Sequence, residues 1–188
     1  MRKERMMPKL IDRHQVADQR ILQKFKGFRL KRSPHWPKAR KAFLALHPKC
    51  YACGSTGSPN VHHMYPFHFV VLCGRPDLEL DPRNYITLCT LKDNEHHVLL
   101  GHLDDYESYN PEVQTFVKTY HDKGAAFIRA DHKFQIAKAL KPEHLELMSK
   151  TAKTAFKTML DKKFKPNPTI MKLVAKTKPV DSARFMKG

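Results

Sequence analysis

The sequence predicts an α+β fold, with a small core of two antiparallel strands leading into a helix and further helices on either side. Three observations carry that expectation. Two short β-type runs, Val61–Tyr65 and Tyr85–Cys89, are bounded by Pro and Asn. A helix-start signal, Asp93 or Asn94, follows the second run at once and opens a helix over about 95–103. Apolar residues at helical spacing then recur on both sides of this core.

In chain order, Leu10, Ile11, Val16, Ile21, Leu22 and Phe25 fit an amphipathic helix over 10–27, closed by Gly27. A basic connector, Phe28 to Pro37, leads to a helix over 38–47 with Pro37 in its first turn. Ala39, Phe43, Leu44 and Leu46 of that helix face a core, and Trp36 is expected to anchor packing at its mouth. Turns and short extended runs fill 48–90, with the stretch from Pro66 to Arg83 read as a loop between the strands. The helix over 95–103 carries His96 and His97 on its first turn. Pro111 starts a helix over 111–122, and Leu145, Met148, Ala152, Ala155, Phe156, Met159 and Leu160 mark one over 142–164. Pro166, Pro168 and Pro179 among lysines give residues 165–188 the look of an extended or disordered basic tail. The chain divides into a basic N-terminal extension (1–32), the core (33–112), a C-terminal helical region (113–164) and that tail.

Composition narrows the function classes. The chain of 188 residues carries a net charge of +17 at a mean hydropathy of −0.58. No apolar run approaches the ~18 residues that a membrane span requires. The charged N-terminus leads to no apolar stretch, so the expectation is an intracellular, cytoplasmic protein without a secretory signal. Charge is unevenly placed: residues 1–49 contribute +12, residues 50–110 contribute −5, and residues 111–188 contribute +10. Basic flanks would hold a polyanion through its phosphates, with chemistry around a cation in the acidic centre. Nucleic acid, DNA or RNA, is the expected partner, and an anionic membrane surface is the rival.

That centre holds the donors. Between Cys50 and His102 lie the Cys50-x-x-Cys53-Gly54 knuckle, His62-His63, Asn84, Cys89, His96-His97 and His102, and with His68 the stretch holds six of the twelve histidines. In a chain without a secretory signal this reads as metal ligation rather than disulfide bonding. Phosphodiester cleavage asks for a base to deprotonate water, a cation against developing negative charge, and positive contacts to the strand. Adjacent side chains on a strand point to opposite faces, so His62 and His63 divide two roles between them.

Cys50-x-x-Cys53, Val61-His62-His63-Met64-x-Pro66, Asn84, Leu88-Cys89 and His96-His97 together resemble the HNH endonuclease motif. Pro66-Phe67-His68, the run from Leu78 to Cys89, Gly101-His102-Leu103 and Asn110-Pro111 are similar to one bacterial or phage subfamily. The resemblance covers about residues 33–112. It implies a ββα-metal (His-Me finger) core with a zinc knuckle, and metal-dependent hydrolysis of DNA that leaves 5′-phosphate and 3′-hydroxyl ends. By resemblance His62 takes a metal-ligand position, His63 the general-base position, Asn84 the middle letter and His97 the final histidine. Asn84 would brace the backbone of the metal loop. The catalytic ion would be Mg, Mn, Ni or Zn, and imidazole ligands favour the transition metals. His102 lies five residues beyond His97, about 140° around an α-helix at ~100° per residue, so it joins that ion only if the helix ends or bends at Gly101.

A structural zinc would take Cys50 and Cys53, with Gly54 supplying the positive φ of the knuckle, and Cys89 as third ligand. Many members of the family supply a second Cys-x-x-Cys; here Lys92 and Asp93 stand at that spacing. His96 as fourth ligand gives a Cys3His site, and closure by another histidine or loss of the site are the alternatives. Cys73 is expected to be a free thiol, and His68 to pack structurally. Arg29, Lys31, Arg32, Lys38, Arg40 and Lys41 are expected to hold phosphates. The other readings are a non-catalytic zinc-stabilised nucleic-acid-binding module, and a hydrolase using the histidines on another substrate.

Overall fold

The computed structural model describes Arg20, Gln23, residues 30–141 and residues 149–176. Apart from Arg20 and Gln23, the helix expected over 10–27 lies outside the described residues, as do Arg29 and residues 142–148 of the helix expected over 142–164.

Helix α1 (Trp36–Leu46) carries Pro37 in its first turn, where the missing N–H has no helical partner to lose. Strand β1 (Pro59–His63) pairs antiparallel with β2 (Tyr85–Cys89), in a register that sets His62 opposite Ile86 and His63 opposite Tyr85. Alternation along β1 sends Val61 and His63 toward α1, where Phe43, Val61 and Tyr85 cluster with Trp36 and Leu44. His62 faces the other way, toward a π-type turn at His97–Gly101. The two-stranded sheet therefore lies between α1 and that turn.

The strand connection is not a plain loop. Helix α2 (Phe67–Leu72) occupies its first part with all six residues buried. Its sequence, Phe-His-Phe-Val-Val-Leu, is apolar all round and shows no periodicity to separate it from a strand. Single 3-10 turns follow at Pro76–Glu79 and Pro82–Asn84. Arg75, buried just before the first of them, grips Asp77 with two parallel bonds of 2.9 and 2.7 Å. It also donates to Asp161 at 2.8 Å and to the Phe164 carbonyl at 3.1 Å.

Beyond the π turn come α3 (Val113–Thr119), α4 (Ala125–Ala130), α5 (His132–Ala139), α6 (Lys150–Lys163) and α7 (Pro168–Lys176). The sequence reading misses α4 and α5, two short helices separated by Asp131, which caps the second by accepting from Phe134 N at 3.1 Å. In the tail expected to be extended or disordered, Pro168–Lys176 is helical, with Pro168 at its first position, and residues 177–188 lie outside the described residues. Leu160 and Phe164 are buried in one cluster with Val70, Leu78, Leu99, Ile128 and Phe134, so the C-terminal helices share the core of the sheet region. Among the described residues, no helix is long and apolar enough to cross a membrane.

Candidate metal centres

Two groups of donors form, and one short segment feeds both. Cys50 and Cys53 come from the knuckle, where the Gly54 N–H donates to the Cys50 carbonyl at 2.8 Å and Gly54 takes φ 67°. Cys89 closes β2, and His96 stands at the entry to the π turn. The His96 Nδ1 is 3.5 Å from the sulfurs of both Cys50 and Cys89, and the Cys53 and Cys89 sulfurs are 3.8 Å apart. A tetrahedral zinc with Zn–S of about 2.3 Å and Zn–N of about 2.0 Å separates nitrogen–sulfur pairs by ~3.5 Å and sulfur pairs by ~3.8 Å. These spacings match, so Cys50, Cys53, Cys89 and His96 are a group able to bind a structural zinc.

The surroundings of this group favour a ligand state. His96 Nε2 lies 2.8 Å from the Lys123 carbonyl, which only accepts, so Nε2 carries the proton and Nδ1 presents its lone pair to the sulfurs. Asn94 donates to Cys53 Sγ at 3.5 Å. Without an ion the thiols perturb one another. The hydrogen bond to Cys89, with burial, pushes Cys50 up to about 11. Burial also raises Cys53, while the hydrogen bond from Cys50 lowers Cys89. Burial opposes protonation of His96, and its contacts with Cys50 and the Lys123 carbonyl outweigh that and raise its pKa. Cys73 stands apart from this group, its thiol pushed up to about 12 by burial.

The second group is His62, His97 and His102, with one ring nitrogen of each within 4.8 Å of the others. Ring centroids are 5.4 Å apart for His62 and His97, 4.8 Å for His62 and His102, and 5.0 Å for His97 and His102. The α-helical offset that told against His102 does not apply. The π turn wraps five residues where an α-helix wraps fewer, and so returns His102 to the side of His97. His102 Nδ1 lies 2.8 Å from the Ser108 carbonyl, which fixes the proton on Nδ1 and leaves Nε2 as donor. Gly101 makes the convergence possible: a β-carbon there would sit 2.8 Å from His62 Cε1 and Nδ1.

His63 belongs to the opposite face. Its ring lies 4.3 Å from Trp36 and 5.0 Å from Tyr85, and its Nε2 is 3.0 Å from the Glu79 carbonyl. That carbonyl also accepts from Tyr85 OH at 2.6 Å. Nε2 is again the protonated nitrogen, which leaves Nδ1 basic. Burial, reinforced by the Arg32 charge, lowers the His63 pKa to about 3, so the ring is neutral at ordinary pH. Asn84 is fully buried. Its amide accepts from Tyr65 N at 2.9 Å and donates to the Tyr65 carbonyl at 2.9 Å and the Leu78 carbonyl at 3.1 Å, tying the end of β1 to the connection. His68 is buried in α2 between Phe67 and Phe69.

Of the residues expected to hold phosphates, Lys31, Lys38 and Lys41 are exposed. Arg40 is half-buried and donates to Asn60 Oδ1 at 3.3 Å. Arg32 turns inward. Its guanidinium lies 4.2 Å from the Phe67 ring and 5.5 Å from Trp36, and 3.9 Å from Glu79. Both carboxylate oxygens of Glu79 accept from Ser33 N, and burial raises the Glu79 pKa.

Sequence reasoning passes over the groups that set these imidazoles: the carbonyls of Glu79, Ser108 and Lys123. A backbone acceptor leaves no mark in side-chain identity. Comparison of the chain with known protein families, with curated proteins and with solved structures found no match in any of the three. The chemistry of the two groups rests on their own geometry.

Proposed function

We propose that this chain is a metal-dependent HNH endonuclease that hydrolyses DNA phosphodiester bonds, with β1, β2 and the π turn as its ββα-metal core. The supporting observation is the contrast between the two donor groups. Cys50, Cys53, Cys89 and His96 offer four protein ligands, the complement of a closed structural zinc. His62, His97 and His102 offer three, the pattern that keeps a coordination position open for substrate or water.

His62, His97 and His102 would hold the ion, which would supply charge stabilisation to the phosphoryl group and the departing oxygen. His63 acts from the neighbouring position on β1. Its Nε2–H is held by the Glu79 carbonyl, so its Nδ1 takes a proton from the attacking water as the new oxygen–phosphorus bond forms and the bond to the 3′-oxygen breaks. Burial and the Arg32 charge keep the ring neutral, the form that accepts a proton, while the same lowering of its pKa weakens it as a base. Trp36 and Tyr85 fix its plane, and Asn84 fixes the strand end that carries both histidines. Exposed Lys31, Lys38 and Lys41 hold backbone phosphates, contributing affinity rather than sequence choice.

Nicking of supercoiled plasmid with Mg, Mn, Ni and Zn tests this reading. Wild type cleaves with at least one metal, and His63→Ala cuts slower by about 10²–10⁴-fold with DNA binding retained, the range for loss of a general base. Undiminished cleavage by His63→Ala would remove that residue from its role. DNA binding without cleavage under any metal would instead identify a non-catalytic zinc-stabilised binding module.

A further inference from the structure

The π turn that carries His97 and leads into His102 is bracketed by two acids in left-handed backbone, Glu95 at φ 45° and Asp104 at φ 64°. Residues other than glycine keep that conformation only where their surroundings impose it. One side chain reaches both. Arg129, on α4, donates from Nη1 to Glu95 Oε2 at 2.7 Å and from Nη2 to Asp104 Oδ1 at 3.0 Å. Lys138, on α5, takes the other Asp104 oxygen at 2.7 Å. A planar guanidinium with donors in a fixed fork sets the separation of the two carboxylates it bridges, which a single ammonium does not. The separation matters, because relaxation of the five-residue wrap to an α-helix would carry His102 about 140° away from His97.

We propose that Arg129 is a positioning residue for the three-imidazole group: by bridging Glu95 and Asp104 it holds the π turn at the width that keeps His97 and His102 on one ion with His62. This rests on the reading of those three histidines as ligands. Of the Cys50, Cys53, Cys89 and His96 group only His96 adjoins the bridge, next to Glu95, and the three cysteines lie outside it, so that group keeps its metal when the bridge is cut. The side chains of Arg129, Glu95 and Asp104 are 39%, 31% and 18% exposed, so salt screens the bridge and lowers affinity at the three-imidazole group alone.

The full chain, loaded with one equivalent of zinc, is titrated with Co2+ by calorimetry and visible absorption. Wild type takes up a second metal, and Arg129→Ala binds it about 10–100-fold more weakly, the range for loss of an outer-shell partner, with zinc content unchanged. Arg129→Lys does not restore the affinity. Asp104→Asn, which keeps side-chain size and tolerates left-handed backbone, shows the same weakening and serves if Arg129→Ala does not fold. A Co2+ affinity unchanged from wild type in either folded variant overturns the proposal. A wild type that takes up no second metal, or a His102→Ala protein that binds it as well as wild type, overturns the ligand reading beneath it.

Discussion

Gly101 lacks a side chain where the His62 ring takes the space. A β-carbon at 2.8 Å from two ring atoms is closer than such contacts allow, so Gly101→Ala must displace either the imidazole or the turn. Overpacking of this kind costs about 1–3 kcal/mol. The expected result is a lower thermal midpoint together with weakened Co2+ uptake at the three histidines and normal zinc content; full Co2+ affinity in a folded Gly101→Ala protein would contradict it. At this scale much of the site is legible in the sequence, because ligation depends on residue type and spacing. Cys50, Cys53, Cys89 and His96 were the expected set, with closure by another histidine or loss of the site as the alternatives, and their donor atoms meet. Arg32 shows the limit. A basic residue in a basic connector looks like surface, and only the tertiary structure reveals the slot between Phe67 and Trp36 that draws it inward.

Elements are tied to the site by a few polar clips. Asp161 of α6 accepts from Arg75, whose guanidinium also holds Asp77 and the Phe164 carbonyl, so one buried arginine fastens α6 to the strand connection. The hydrogen bond from Lys157, aided by Arg75, lowers the Asp161 pKa. A carboxyl depressed in the folded state stabilises above its unfolded value of ~3.9, and that contribution is lost as pH falls through the folded value. Asp161→Asn should therefore melt below wild type at pH 7, with the gap closing in strongly acidic solution. A gap that persists or widens there would assign Asp161 another role. The strands were legible from their bounded runs, β2 at its observed bounds and β1 two residues late, whereas α2 was not, since six consecutive buried residues carry no period. The π turn escaped for a different reason: Asn94, Glu95 and the apolar residues after them fit an α-helix equally well, and the wider wrap depends on contacts from α4 and α5.

For the whole molecule, the four-donor group joins the knuckle, the end of β2 and the entry to the π turn, and through the Lys123 carbonyl it reaches the segment before α4. Metal binding of this kind is part of the folding free energy. Cys89→Ser should lose bound zinc and lower the thermal midpoint by more than a typical surface substitution, and chelation of wild type should mimic it. Metal analysis that finds no zinc in the purified wild-type protein would refute the structural site. The charge pattern, acidic in the middle and basic at both ends, was visible in composition, but the shared core of Leu160 and Phe164 with Leu78 and Leu99 was not. Contacts that distant in sequence leave no local signature. The π turn also bears on the spacing of the histidines. A histidine pair four residues apart would align on an α-helix, and a pair five apart aligns here because the turn absorbs the additional residue as width rather than length. Histidines five residues apart thus face one point on a π-type turn, so that spacing does not by itself argue against a shared ion.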